Sequence, residues 1–241
     1  DESDASFLHL QPMAVILTNV DRDHLVNFEG SFSKLQEAFL AFVHNLPFYG
    51  LLIACEDDPV VASMLPAVMR PIKTYGFSDD ADYQILKWQQ QGQLSQFEVA
   101  RPDREPNLVI ELLLPGRHNA LNAVAAIAIA CEEGVQDAAI QQGLAQFSGV
   151  GRRFEVLGDC WVGRRQMLLI DDYGHHPTEV RATIDAVRDG WPGRRLVMVY
   201  QPHRCSRTAA LFEEFVAALS EVDVLLISNV YAAGEEVVLG A

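Results

Sequence analysis

The sequence predicts an α/β protein of two domains, and three observations carry that prediction. Short apolar runs of strand length alternate with helical patterns along most of the chain. The polar clusters fall where those runs stop. Gly149 and Gly151 mark a joint, after which strand, helix and strand follow in turn. The expected domains are therefore residues 1–151 and 152–241.

In order, residues 14–18 (Ala-Val-Ile-Leu-Thr) form a buried-strand run, and a polar loop follows through Asn27. Ser33 with Gln36 fits a capping box ahead of the helical pattern Leu35, Ala38, Phe39, Phe42, Val43 and Leu46. Residues 51–55 read as the next strand, Pro59 as the first turn of a helix, and residues 72–77 as a third strand. Residues 83–100 and 108–114 contain alternating stretches suited to an antiparallel extension. Pro115-Gly116 breaks the pattern. A small-residue helix runs from there toward Gly134, and another spans roughly 136–147. Beyond Arg153, strands at 167–170, 195–200 and 222–227 alternate with helices at 178–187 and 208–219. That order predicts a parallel sheet with right-handed crossovers.

Composition narrows the function. Hydrophobic residues make up 49% of the 241, enough for a sizeable core, and the net charge of −15 suits nonspecific binding to a nucleic-acid backbone poorly. Local Arg clusters still leave anionic ligands open. The four cysteines are scattered, so there is no CxxC metal or redox motif, and they fit a reducing compartment. No run is long enough to span a bilayer, and the expected location is cytoplasmic. The chain opens on Asp1-Glu2-Ser3-Asp4 without Met and stops abruptly at Gly240-Ala241, as a piece of a longer protein would.

Five stretches carry candidate chemistry. Residues 18–24 gather carboxylates around His24 after a strand, a set able to ligate a divalent ion or to stand as a solvated loop. Residues 114–122 place His118, Asn119 and Asn122 in the first turns of a helix. The two Asn share a face and suit an adenine edge, or Asn119 caps the helix. Arg152 and Arg153 follow Gly149 and Gly151 and can clamp phosphate, or form a solvated basic hinge. Asp171-Asp172-Tyr173-Gly174-His175-His176-Pro177 sits at a strand exit, where open α/β sheets bind ligands. Asp172 there can hold a ribose hydroxyl, His175 and His176 can face substrate, and at least one of these His is expected to be structural. Finally, Arg204 and Arg207 stand one turn apart at a helix start, a favourable place for phosphate or carboxylate. No G-x-x-x-x-G-K-[ST] phosphate loop occurs in the chain.

Taken together these stretches resemble the Mur ligases of peptidoglycan synthesis, and within them the alanine-adding branch. The residues that carry the resemblance are 1–7 (Asp-Glu-Ser-Asp-Ala-Ser-Phe), Thr18-Asn19 with Asp23-His24, and Gly116-Arg117-His118-Asn119. They continue with Arg152-Arg153-Phe154, the 171–177 turn, Gln201-Pro202-His203-Arg204, and Val230-Tyr231 with Ala233-Gly234-Glu235. The resemblance implies a three-domain enzyme of which residues 1–151 are part of the central ATPase domain. Residues 152–241 would be part of a Rossmann-like C-terminal domain. It implies ATP and Mg2+, and the joining of L-alanine to the lactyl carboxylate of UDP-N-acetylmuramic acid through an acyl phosphate.

By the same resemblance His24 is the Mg2+ ligand and a catalytic residue. His118, Asn119 and Asn122 lie on the adenine side, and Asp172 meets the nucleotide ribose. Arg153 reaches the ATP phosphates and the reaction centre. Tyr173, His175, His203, Arg204 and Arg207 face the muramyl substrate and the incoming alanine. The UDP-binding domain, the phosphate loop and a metal-ligating Glu would lie upstream of Asp1, and Phe39 falls near the position where sibling ligases carry a carbamylated Lys. The 241-residue chain alone is accordingly expected to lack activity. Two alternatives stand beside this reading. One is the related recycling ligase that attaches a preformed peptide to the same sugar nucleotide, against which Leu10-Gln11-Pro12 favours the alanine enzyme. The other is a noncatalytic nucleotide-binding module.

Overall fold

The structure, a computed structural model, describes residues 4–23, 25–102 and 104–235. Contacts divide the chain into two compact units. One is Asp1–Gln89, Gln96–Glu111 and Asn119–Gln146, and the other is Gln90–Ser95, Leu112–His118 and Phe147–Ala241. Among the described residues, no helix is long and apolar enough to cross a membrane.

In the first unit, β1 (Ala14–Leu17), β2 (Leu51–Cys55) and β3 (Ile72–Gly76) pair in parallel, with Ala14 opposite Leu51 and Leu52 opposite Ile72. β1 and β2 are short, mainly aliphatic runs, whereas β3 (Ile-Lys-Thr-Tyr-Gly) is mixed and is buried only at its end, at Tyr75 and Gly76. Leu52, Ile53 and Ala54 are fully buried. The sheet continues in sequence order through β4 (Tyr83–Gln91), β5 (Leu94–Arg101) and β6 (Arg104–Leu112). The Lys87–Glu98, Gln89–Gln96 and Gln96–Glu111 side-chain pairs match the expected antiparallel extension. Its attachment differs from expectation, because β4 joins β3 in parallel over Tyr75↔Tyr83 and Gly76↔Gln84. Carboxylates hold that short connection. Asp57 accepts from the amides of Phe77 and Ser78, and Asp82 accepts from the Thr74 amide.

Helix α1 (Phe32–His44) is capped by Ser31, whose hydroxyl accepts from the Lys34 amide at 3.4 Å. The expected box from Ser33 to Gln36 does not form. Gly30, at φ +72°, turns the chain so that Ser31 already has the extended dihedrals of a cap, which puts Ser33 inside the first turn. Helix α2 (Pro59–Met64) starts on Pro, and Asp58 accepts from the amides of Val60 and Val61. Helix α3 (Arg117–Glu132) buries Ala, Val and Ile around much of its circumference. It ends in a Schellman turn at Gly134, with Val135 N bonded to Ala130 O and Gly134 N to Cys131 O. Helix α4 (Asp137–Gln146) follows.

The second unit opens with an antiparallel hairpin of β7 (Glu155–Val162) and β8 (Arg165–Asp171). Sequence reading missed β7, because a bulge between Val156 and Gly158 breaks its alternation. It also assigned residues 167–170 to a parallel sheet, whereas the partner of β8 is β7. The parallel pair is β9 (Val197–Tyr200) with β10 (Val224–Ile227). Against it pack α5 (Pro177–Gly190) and α7 (Phe212–Leu219), burying Val180, Ile184, Tyr200, Phe215, Ala218 and Leu219. The single helix expected over 208–219 is two, because Leu211 at φ −117°, ψ 28° breaks it after α6 (Cys205–Ala210).

Gln90 fastens the β4–β5 tip within this unit. Its amide nitrogen donates to Ala186 O (2.8 Å) and Gly92 O (3.0 Å), and its oxygen accepts from Gly116 N (2.8 Å). Gly190 allows this approach, since a Cβ there would lie 2.3 Å from the Gln90 nitrogen and 2.6 Å from Gly92 O.

Candidate functional site

The turn that leaves β8 is locked to the turn that enters β7. Asp172 accepts from Phe154 N and from Gly174 N, each at 2.7 Å, and Tyr173 N donates to Arg152 O at 2.8 Å. Arg152 and Phe154 hold φ of 58° and 48°, strained values for side-chain-bearing residues. Three hydrogen bonds, two of them to a carboxylate, offset that strain at about 0.5–3 kcal/mol each. Phe154 is buried and stacks on Trp191 at 6.1 Å. The anchored turn leaves the two guanidinium groups half exposed. That of Arg152 lies 4.8 Å from the Tyr173 ring centre and that of Arg153 lies 5.9 Å from it, both within cation–π range.

Glu179, absent from the expected site, stands at the centre of this arrangement. His176 caps α5, Pro177 opens it, and Glu179 occupies the third helical position. One carboxylate oxygen accepts from the amides of His175 (2.8 Å) and His176 (3.1 Å), while the other meets Arg153 Nη1 at 3.1 Å. Burial works against the ionised carboxyl. The His175 amide and ring, Arg153 and the His176 amide outweigh it and hold Glu179 below the ordinary carboxylate range. The signal was present in the sequence as a polar cap, a Pro and a Glu in capping-box spacing. His176 is thereby the structural member of the His pair. His175 Nδ1 lies 3.2 Å from Tyr173 O and 3.4 Å from Glu179, both acceptors, so Nδ1 is the ring nitrogen that carries a proton in this arrangement.

The turn that leaves β9 adds His203. It pairs with Tyr231 in an isolated bridge, with Tyr231 N bonded to Pro202 O and Arg204 N to Tyr231 O, each at 2.8 Å. The rings of Tyr173, His175, His203 and Tyr231 follow one another at 5.4, 6.0 and 5.3 Å. Burial first, then the positive charges of Arg207, His175 and Arg204, lower the His203 pKa against the opposing Glu235, so this ring is neutral at neutral pH. Arg204 is exposed at φ 71°, ψ 130°, a strained conformation. The expected anion site of Arg204 with Arg207 at a helix start is not formed. Arg207 is buried, and Glu235 already occupies the α6 start, accepting from Ser206 N (2.9 Å) and Ser206 Oγ (2.6 Å). The helix dipole prefers that carboxylate.

In the same unit burial lowers the His118 pKa against the charge of Asp172, which keeps His118 neutral. Gly116, at φ +96°, admits the His118 ring, which a Cβ would meet at 2.6 Å. The second unit thus brings together Arg153, Asp172, Tyr173, His175 and His203. Asn119 and Asn122 lie in the first unit, in α3, with Asn122 exposed. The helix starts at Arg117, so Asn119 is inside it and is not its cap. A carboxamide pair one turn apart suits a nucleobase edge. His24 lies outside the described residues. Among those described, no group of three His, Cys, Asp or Glu is placed to hold a metal ion. Phe39 stacks on Phe7 at 5.2 Å and packs with the first unit's core, an apolar environment. The four cysteines are free thiols.

Residues 1–130 match the model of the Mur ligase middle domain, and residues 152–237 match that of the Mur ligase glutamate ligase domain. Among solved structures, the chain is similar to UDP-N-acetylmuramate-alanine ligase MurC from Thermotoga maritima. Identity is 27%, the TM-score is 0.77, and the match covers 97% of this chain and 50% of the other. Two further structures share the fold. MurF ligase from Thermotoga maritima, in complex with ADP, matches at 20% identity and TM-score 0.71, over 90% of this chain and 48% of that one. A murein peptide ligase from Psychrobacter arcticus matches at 24% and 0.60, over 92% and 51%. The chain spans about half the length of these relatives. With more than half of its residues inside the middle-domain match, this chain belongs to the Mur ligase family.

Proposed function

We propose that the chain acts as part of an ATP-dependent ligase that joins L-alanine to UDP-N-acetylmuramic acid. The observation that carries this reading is the likeness to an alanine-adding ligase over nearly the whole chain. The chemistry of the second unit supports it. Acyl phosphate formation moves negative charge onto phosphoryl oxygens, and a held guanidinium stabilises that charge. Arg153 supplies it. The amine of alanine then attacks the acyl phosphate, phosphate leaves, and an amide forms. In its neutral form His175 offers a ring nitrogen as an acceptor for the proton that the amine gives up. Tyr173, His203 and Arg204 surround the acceptor substrate, with Arg204 matching a carboxylate, and Arg207 supports that turn from within. Asn119 and Asn122 meet the adenine edge, His118 its neighbourhood, and Asp172 the ribose. His24 is the Mg2+ ligand on this reading, and the substrates place the reaction in the cytoplasm.

Isotope-labelled L-alanine, ATP and UDP-N-acetylmuramic acid supplied to the full-length enzyme test this proposal. Labelled amide with stoichiometric ADP is expected. Exclusive use of a preformed peptide assigns the recycling ligase instead, and nucleotide binding without any amide assigns a noncatalytic module.

A further inference from the structure

We propose that Glu179 is the positioning residue for Arg153, and this rests on the ligase reading given above. A cap at the start of α5 needs only one carboxylate oxygen. Here one oxygen meets the amides of both His175 and His176, and the other is turned outward to the Arg153 guanidinium. Arg153 sits in a turn whose flanking residues hold positive φ, so its direction is set by the turn and by what grips its far end. Two groups lie at that end, the Glu179 carboxylate and the Tyr173 ring. The ring face is a diffuse partner, whereas the carboxylate fixes an N–H direction. The same carboxylate oxygen that holds the two amides lies 3.4 Å from the His175 ring, so one side chain sets the place of the guanidinium relative to the imidazole. Arg153 is half exposed and Glu179 a third exposed, which limits what the pair contributes to stability. Its consequence is therefore orientation, and misplacement by about 1 Å costs on the order of 100-fold in rate.

Glu179→Gln tests this in the full-length enzyme. The amide keeps one oxygen for the His175 and His176 N–H groups and sets its NH2 against the guanidinium, donor facing donor. The expected result is a kcat lowered about 10- to 100-fold with KM values for ATP and alanine within about threefold. The doubly substituted Arg153→Ala, Glu179→Gln enzyme should be no slower than Arg153→Ala alone, because residues acting as a unit are not additive. An unchanged kcat, or losses that multiply, overturns the proposal. An activity-independent measurement separates this from the ligase reading. The Arg153 side-chain nitrogen resonance, assigned by its loss in Arg153→Ala, should move toward the free-arginine position in Glu179→Gln. A resonance that stays put defeats the positioning role whatever the substrate. A wild-type enzyme that makes no amide defeats the ligase reading instead.

Discussion

Replacing Arg153 by Ala in the full-length enzyme lowers kcat by about 100- to 1000-fold, the loss typical of removing one charge-stabilising donor from a transition state. Folding survives the change. The Arg153 side chain is 52% exposed and its partner Glu179 33%, and an exposed pair of this kind is worth at most about 1 kcal/mol. The strained turn around it is held by Asp172 and by the Phe154–Trp191 stack, neither of which uses the guanidinium. A dead enzyme with a near-normal melting temperature is therefore expected. Single-turnover release of ADP measures it, and a kcat within threefold of wild type would remove Arg153 from the chemistry.

The largest stability effect falls elsewhere. Arg101, at the end of β5, has a side chain only 2% exposed, and it meets Asp137 at the start of α4 with two hydrogen bonds of 2.6 and 2.9 Å. It also donates to Pro106 O at 3.1 Å. The Asp137 bond, ahead of the opposing burial, raises the Arg101 pKa above its ordinary value. Asp137→Ala strands a buried guanidinium and should cost about 3 kcal/mol, or roughly 6–12 °C in melting temperature. Arg101→Met fills the same space and strands only a carboxylate that is 46% exposed and can be rehydrated, so it should cost much less. Thermal melts of the two variants decide the matter, and equal losses would show that the ion pair is not the cause.

Much of this was legible in the residues because it depends on local chemistry. The strands at 14–17 and 51–55 are unbroken apolar runs, and Pro59, Gly116 and Gly134 punctuate the helices as their dihedral limits require. What escaped depends on partners distant in sequence. The bulge at Gly158 hid β7, so β8 was given a parallel neighbour in place of an antiparallel one. The parallel joining of β3 to β4 rests on Asp57 and Asp82 holding the connection, which no periodicity reveals. In the site, the Arg and His residues stood out by type. Glu179 does not stand out in the sequence, because its importance lies in reaching back to Arg153, 26 positions earlier. The Arg204–Arg207 spacing looked like an anion site. Glu235, 29 positions beyond Ser206, fills the helix start first.

On the proposed reading, this strand-exit cluster activates a carboxylate as its acyl phosphate. UDP-N-acetylmuramic acid labelled with 18O in the lactyl carboxylate tests it most directly in the full-length enzyme. Transfer of one labelled oxygen to inorganic phosphate, matched to amide formed and lost together with turnover in Arg153→Ala, is the predicted result. Label appearing in AMP, or turnover that leaves the released phosphate unlabelled, would contradict the account.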